Sequence, residues 1–170
     1  MSGAELPRRK PNRLNGYDYS QNGAYFVTIC TRDRKNLFWR ENVGADSIRP
    51  KTPVSELLSE YGSIVERAIL AIPEHYSGVA VDQYVIMPNH IHLILRISEP
   101  DSGCGRILSA PTLSIVVGQM KRHTAKQIGH PVWQKSFYDH VIRNETDYRE
   151  IWDYIENNPR KWAEDRFYTE

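Results

Sequence analysis

The sequence predicts an α+β fold: a ferredoxin-like, split β-α-β antiparallel sheet with an extra C-terminal helix. Three observations lead there. Hydrophobic periodicity runs in the order strand, helix, strand, strand, helix, strand, which is the order of the split β-α-β arrangement. Residues 90–97 alternate two sets of side chains, Ile91, Leu93, Leu95 and Ile97 against the more polar His90, His92, Ile94 and Arg96, so one sheet face suits a helix layer and the other stays open. A further amphipathic helix then follows the sixth element, available to cross that open face. A chain of 170 residues is long enough for one hydrophobic core.

The elements follow in order. Residues 1–22 are rich in Arg, Lys, Pro and Asn and read as a flexible basic arm, leaving 23–170 as a single domain. Residues 24–31 are aromatic and β-branched, a first strand. Residues 41–53 hold Gly44, Pro50 and Pro53 and read as a loop. Val54, Leu57, Leu58, Tyr61, Ile64, Val65, Ala68, Ile69 and Ile72 keep three-four spacing, so a single helix is expected over 54–72, stopped by Pro73. Residues 79–87 form a second strand, Pro88 and Asn89 a tight turn, and 90–97 a third strand. A loop with Pro100, Gly103, Gly105 and Pro111 leads to a helix over 113–128, closed by Gly129. A fourth strand covers 137–142. The last helix covers 144–157, with Asn144 placed to cap it through Asp147.

Composition narrows the classes. The hydrophobic fraction of 40% and charged fraction of 25% are those of an ordinary globular protein. No apolar run approaches the roughly 20 residues a membrane-spanning helix needs, so no membrane partner is expected. Cys30 and Cys104 stand apart without a Cys-x-x-Cys pattern, which suits a reducing cytoplasm and no zinc ribbon. A net charge of +1 does not itself argue for nucleic acid, but Arg8, Arg9, Lys10 and Arg13 cluster at one end and Lys121, Arg122, His123 and Lys126 at another. Such clusters serve equally as solvated surface.

The chemistry concentrates at His90 and His92. Side chains two apart on a strand share a face, so both imidazoles project together from a rigid support, which is half of a metal site. Two polar residues on a half-exposed sheet would look the same. In the last helix Tyr148, Ile151, Trp152 and Ile155 form an apolar stripe. At about 100° per residue Tyr154 falls well off that stripe, with Asn158 one turn further on the same side. Asn158 precedes Pro159, which disfavours helical geometry there and leaves its aim open. Tyr148 is the rival tyrosine on the helix, but it belongs to the stripe. Tyr138 and His140 can line the open face or simply pack. Tyr17, Tyr19 and Tyr25 can stack on bases or serve as plain surface and strand aromatics.

Together these residues carry a resemblance. A His-hydrophobic-His strand and a late helix bearing Tyr and an amide one turn on resemble the HUH single-tyrosine transposases. The segments Gly-Ala-Tyr-Phe-Val-Thr-Ile-Cys-Thr (23–31), Met-Pro-Asn-His-Ile-His (87–92), Trp-Gln-Lys-Ser-Phe-Tyr-Asp-His-Val-Ile-Arg-Asn (133–144) and Tyr-Ile-Glu-Asn-Asn-Pro (154–159) are similar to the REP-associated tyrosine transposases, over residues 8–162. The resemblance implies nicking and rejoining of single-stranded or hairpin-forming repeat DNA through a 5′-phosphotyrosine. Tyr154 would be the nucleophile, and His90, His92 and Asn158 would hold Mg²⁺ or Mn²⁺, which would polarise the scissile phosphate. Arg8, Arg9, Lys10, Arg13, Lys121, Arg122 and Lys126 become candidate phosphate contacts. Two other readings compete. One is a catalytically idle protein that binds hairpins as a regulatory or architectural factor. The other is an RNA-binding module, which shares the sheet but would place stacking aromatics at its centre, where this chain has His90 and His92. Assembly as a monomer or a homodimer is open, with the short link from Asn144 to Tyr148 favouring a site built within one chain.

Overall fold

A computed structural model describes residues 16–19, 21–40, 54–99 and 111–168. Four strands, β1 (Gly23–Cys30), β2 (Val79–Ile86), β3 (His90–Ile97) and β4 (Tyr138–Ile142), form one sheet in the order β2-β3-β1-β4, with every neighbouring pair antiparallel. This is the four-stranded antiparallel sheet that the element order predicts. β3 is central, and all of it except Arg96 is buried.

The helices are α1 (Val54–Leu57), α2 (Glu60–Leu70), α3 (Ile72–His75), α4 (Leu113–Ile128) and α5 (Glu145–Asn157). The expected single helix over 54–72 is therefore three pieces. The first break comes where residues 57–59 pair their backbone with another segment. Arg40 N–H donates to Leu57 O at 3.0 Å and Ser59 N–H to Phe38 O at 2.8 Å. Ser59 then restarts the helix as an N-cap, its Oγ accepting from Gly62 N at 3.1 Å. Pro73 opens α3 rather than ending α2, since a helix's first turn tolerates proline. α4 matches its expected span, capped by Thr112 and ended by Gly129 at φ +90°. Asn144 caps α5 through its Oδ1, which accepts from Asp147 N at 2.9 Å. Beyond α5 the chain tightens into a 3-10 segment, Asn158–Glu164, that starts with Asn158 in helical geometry (φ −57°, ψ −42°) despite the following proline.

The two sheet faces are distinct. Tyr84 is paired with Leu93 in the sheet, and its hydroxyl donates to Glu66 of α2 at 3.2 Å. That places α2, and α4 packed on it, over the Leu93 face, where Tyr25, Val27, Ile29, Ile91, Leu95, Ile69, Val116 and Val117 are buried together. The opposite face carries Phe26, Thr28, His90, His92 and Ile94 and lies under α5. Registered on that same face are Tyr138 opposite Thr28 and His140 opposite Phe26. His140 Nε2 meets Asp147 of α5 at 2.9 Å, and Tyr138 is exposed. In β2 a bulge between Val81 and Gln83 frees Asp82 from the ladder. Its carboxylate accepts from Arg96 at 2.7 Å and from the Tyr148 hydroxyl of α5 at 3.1 Å.

No described helix is long and apolar enough to cross a membrane. Of the segment 1–22, Arg8, Arg9, Lys10 and Arg13 lie outside the described residues, as do the loop at 41–53 and Cys104. Tyr17 and Tyr19 are described and pack ring to ring against Tyr25. Tyr25 itself is fully buried and its hydroxyl donates to Gln21 O at 2.8 Å, so it is a core residue and not a base-stacking platform.

Candidate active site

The turn before β3 is fixed by backbone hydrogen bonds. Pro88 O accepts from Leu37 N and Phe38 N at 2.8 and 3.0 Å, and Asn89 O from Thr31 N at 2.8 Å. The Asn89 side chain, fully buried, sits at the centre of the arrangement. Its Nδ2 donates to Phe167 O at 2.8 Å and to Arg34 O at 3.2 Å. Both partners are carbonyls, which only accept, so Oδ1 must face the third contact, His90 Nδ1 at 2.9 Å. His90 Nδ1 therefore carries the proton, and its Nε2 presents a lone pair.

His92 is held in a matching way. Thr28 Oγ1 lies 2.9 Å from its Nδ1, and the Phe26 ring stacks on it with centroids 5.2 Å apart. The two Nε2 atoms converge at 3.0 Å, and the Tyr154 hydroxyl lies 3.2 Å from His92 Nε2. The structure thus brings together His90, His92 and Tyr154 from two elements far apart in sequence. Tyr148 is tied to Asp82 and takes no part.

A residue the sequence reading missed completes the group. Asp165 lies just past the 3-10 segment, and His90, His92 and Asp165 offer ligand atoms all within 4.8 Å of one another. Asp165 Oδ1 accepts from Phe167 N at 2.7 Å, and its Oδ2 accepts from Asn158 Nδ2 at 3.2 Å. That grip on the amide nitrogen leaves Asn158 Oδ1 buried without a hydrogen-bond donor among the described residues. A buried amide oxygen in that state costs free energy unless something satisfies it, and a cation would. Two imidazole nitrogens, one carboxylate and one amide oxygen suit a divalent first-row metal, so these residues fit the expected ion. Nothing in the spacing of residues 159–165 signals Asp165; only the 3-10 turn after Pro159 brings it back.

Burial decides the electrostatics. Both histidines are fully buried, which pushes their pKa values below the ordinary 6.5; the Asp165 charge only partly offsets this at His90, and positive charge nearby adds to it at His92. They are neutral at pH 7, the state a ligand needs. Burial also raises the Tyr154 pKa above 10, and the Asp165 charge adds to that. Phe167 covers His90 with ring centroids 4.6 Å apart, and Tyr154, Asn158, Asp165, Lys161 and Arg166 line an open cleft of about 500 Å³.

The basic residues of α4 are elsewhere. They sit on the helix layer, across the sheet from the histidines, with Arg122 and Lys126 exposed. The Lys121 ammonium donates to Gln134 O at 2.6 Å and Lys135 O at 3.2 Å, tying α4 to the approach to β4.

No protein-family model matches the chain. An uncharacterized protein of Haemophilus influenzae is 30% identical over 98% of the chain and 97% of its own length. The REP-associated tyrosine transposase of Escherichia coli K12 is 26% identical over 84% of the chain and 70% of its own length. Among solved structures, a REP-associated tyrosine transposase bound to a REP hairpin superposes with a TM-score of 0.57 at 24% identity, over 94% of this chain and 74% of that one, which establishes the shared fold.

Proposed function

Since the chain belongs to the REP-associated tyrosine transposase family, we propose that it is a metal-dependent endonuclease and strand transferase acting on single-stranded, hairpin-forming repeat DNA. The E. coli relative is named a transposase, so the coarse activity is transposase-like DNA processing. The finer reading rests on one observation: the Tyr154 hydroxyl sits 3.2 Å from a nitrogen of His92, which itself lies 3.0 Å from its counterpart on His90.

Nε2 of His90 and of His92, Asn158 Oδ1 and Asp165 would hold Mg²⁺ or Mn²⁺. When bound, the ion supplies polarisation of the scissile phosphate and charge compensation for the departing 3′-oxygen. The chain does the rest. Asn89 fixes the His90 tautomer so that Nε2 faces inward, and Thr28 holds His92 in line with it. α5 delivers the Tyr154 hydroxyl to the same point. Burial keeps that phenol protonated at neutral pH, so its proton must leave as it attacks. Asp165, whose charge is felt at Tyr154, would take it. The Tyr154 Oη–phosphorus bond forms as the bond from phosphorus to the 3′-oxygen breaks. The departing 3′-oxygen takes a proton, returned by Asp165 or drawn from solvent, so the products are a 5′-phosphotyrosine and a strand ending in a 3′-hydroxyl. The ester retains the bond energy, so attack by a 3′-hydroxyl rejoins strands. An idle binding protein would have no use for this convergence of two buried imidazoles on a phenol.

The test is cleavage of end-labelled hairpin DNA from around the protein's own gene, with Mn²⁺, with Mg²⁺ and with chelator. Cleavage is expected only with metal, leaving a 3′ end that a polymerase extends and a 5′ end that a kinase cannot label. Tight binding with no cleavage under either metal would support the idle binding protein instead.

A further inference from the structure

Above the buried histidines the surface carries a pair of arginines that the site chemistry does not use. Arg34 and Arg166 come from opposite ends of the chain, and both are exposed. Both guanidinium groups lie over the ring of the same buried residue, Phe167, at 5.1 and 4.6 Å from its centroid. A single cation on an aromatic ring is ordinary. Two over one ring gather positive charge on a single surface patch, which suits an anion. Arg166 forms no ion pair with any carboxylate among the described residues, although Asp165 is its neighbour in sequence.

Both arginines are held in place by the site itself. Asn89 Nδ2 donates to Arg34 O and to Phe167 O, so one amide anchors the segment of each arginine beside His90. Arg34 also follows Asp33, and both are non-glycine residues at positive φ (54° and 58°). Such geometry is strained and persists where surrounding contacts impose it. Arg166 lines the same cleft as Tyr154, Asn158 and Lys161.

We propose that Arg34 and Arg166 form a phosphodiester clamp at the mouth of the Tyr154 cleft, gripping backbone phosphates of the strand that flanks the cleaved bond. This rests on the nicking reading above. The planar guanidinium suits phosphate oxygens, and the Phe167 ring beneath holds both over one patch. The clamp contacts no base edge, so its contribution is independent of sequence.

The experiment is anisotropy of labelled oligothymidylate across a salt series, with chelator present and in a Tyr154→Phe background, so that binding is read without chemistry. Arg34→Gln and Arg166→Gln should each weaken binding several-fold and flatten the slope of log K against log salt by about 0.7, the value for one phosphate contact on a single strand. Arg34→Lys and Arg166→Lys should restore the slope, since they keep the charge; a merely structural role would not show that rescue. Melting of each variant confirms that it is folded. Unchanged slopes in both folded glutamine variants, or no salt-dependent binding by the parent, would overturn the clamp. Because the readout needs neither metal nor adduct, a failure of cleavage leaves it separately decided.

Discussion

Asn89 shows how much of this site depends on one neutral side chain. It satisfies two backbone carbonyls and fixes the proton of His90 on Nδ1, all while fully buried. Replacing it strands three polar groups at once. Asn89→Ala should lose about 2–3 kcal/mol of stability, the cost of buried groups without partners. It should also weaken Mn²⁺ binding by about 10- to 100-fold, as loss of a partner behind a ligating histidine does. Denaturant melts and metal titration by calorimetry read the two effects separately. At this scale the sequence was legible where the pattern is local. His90 and His92 announce themselves by their spacing, and Tyr154 and Asn158 by their place off the helix stripe. Asp165, Arg34 and Phe167 carry no such pattern, because they reach the site through an irregular turn and a loop.

Among the elements, strands and the later helices followed their periodicity closely, with β3 and α4 starting and ending where expected. The first helix did not. Its apolar spacing continues through Leu57, Leu58 and Tyr61, but the backbone at Leu57 and Ser59 bonds across to Arg40 and Phe38, a competition no periodicity can register. Gly62 marks the same crowding. A Cβ at that position would fall on the Phe38 carbonyl oxygen and against the Leu58 side chain. Helix propensity alone would favour Gly62→Ala by about 1 kcal/mol. The expected result is a net loss of about 1–3 kcal/mol in urea unfolding, with the steric effect outweighing propensity. The β2 bulge is a second device of this kind. It places Asp82 where its carboxylate accepts from the Tyr148 hydroxyl, tying α5 to the sheet.

Across the whole molecule, labour is divided between the two sheet faces. One buries the core under α2 and α4, and the other buries two histidines under α5 and the C-terminal turn. Burying neutral histidines has a consequence for pH. Their pKa values are lower in the folded than in the unfolded state, so the unfolded chain binds more protons at acid pH. Stability of the metal-free protein is therefore full above the ordinary histidine value of 6.5 and falls as pH drops below it. Chemical denaturation between pH 8 and about 5 should show that decline, and His92→Phe should reduce it.

The central claim is that Tyr154 is the residue that joins the DNA, and peptide mapping of the covalent adduct tests it most directly. The protein would be incubated with Mn²⁺ and hairpin DNA, digested with protease and nuclease, and the nucleotide-bearing peptide sequenced by mass spectrometry. The account predicts one modified peptide with the nucleotide on Tyr154, absent with chelator and absent from Tyr154→Phe. A modified peptide carrying Tyr148 or any other residue, or an adduct that persists in Tyr154→Phe, would contradict it.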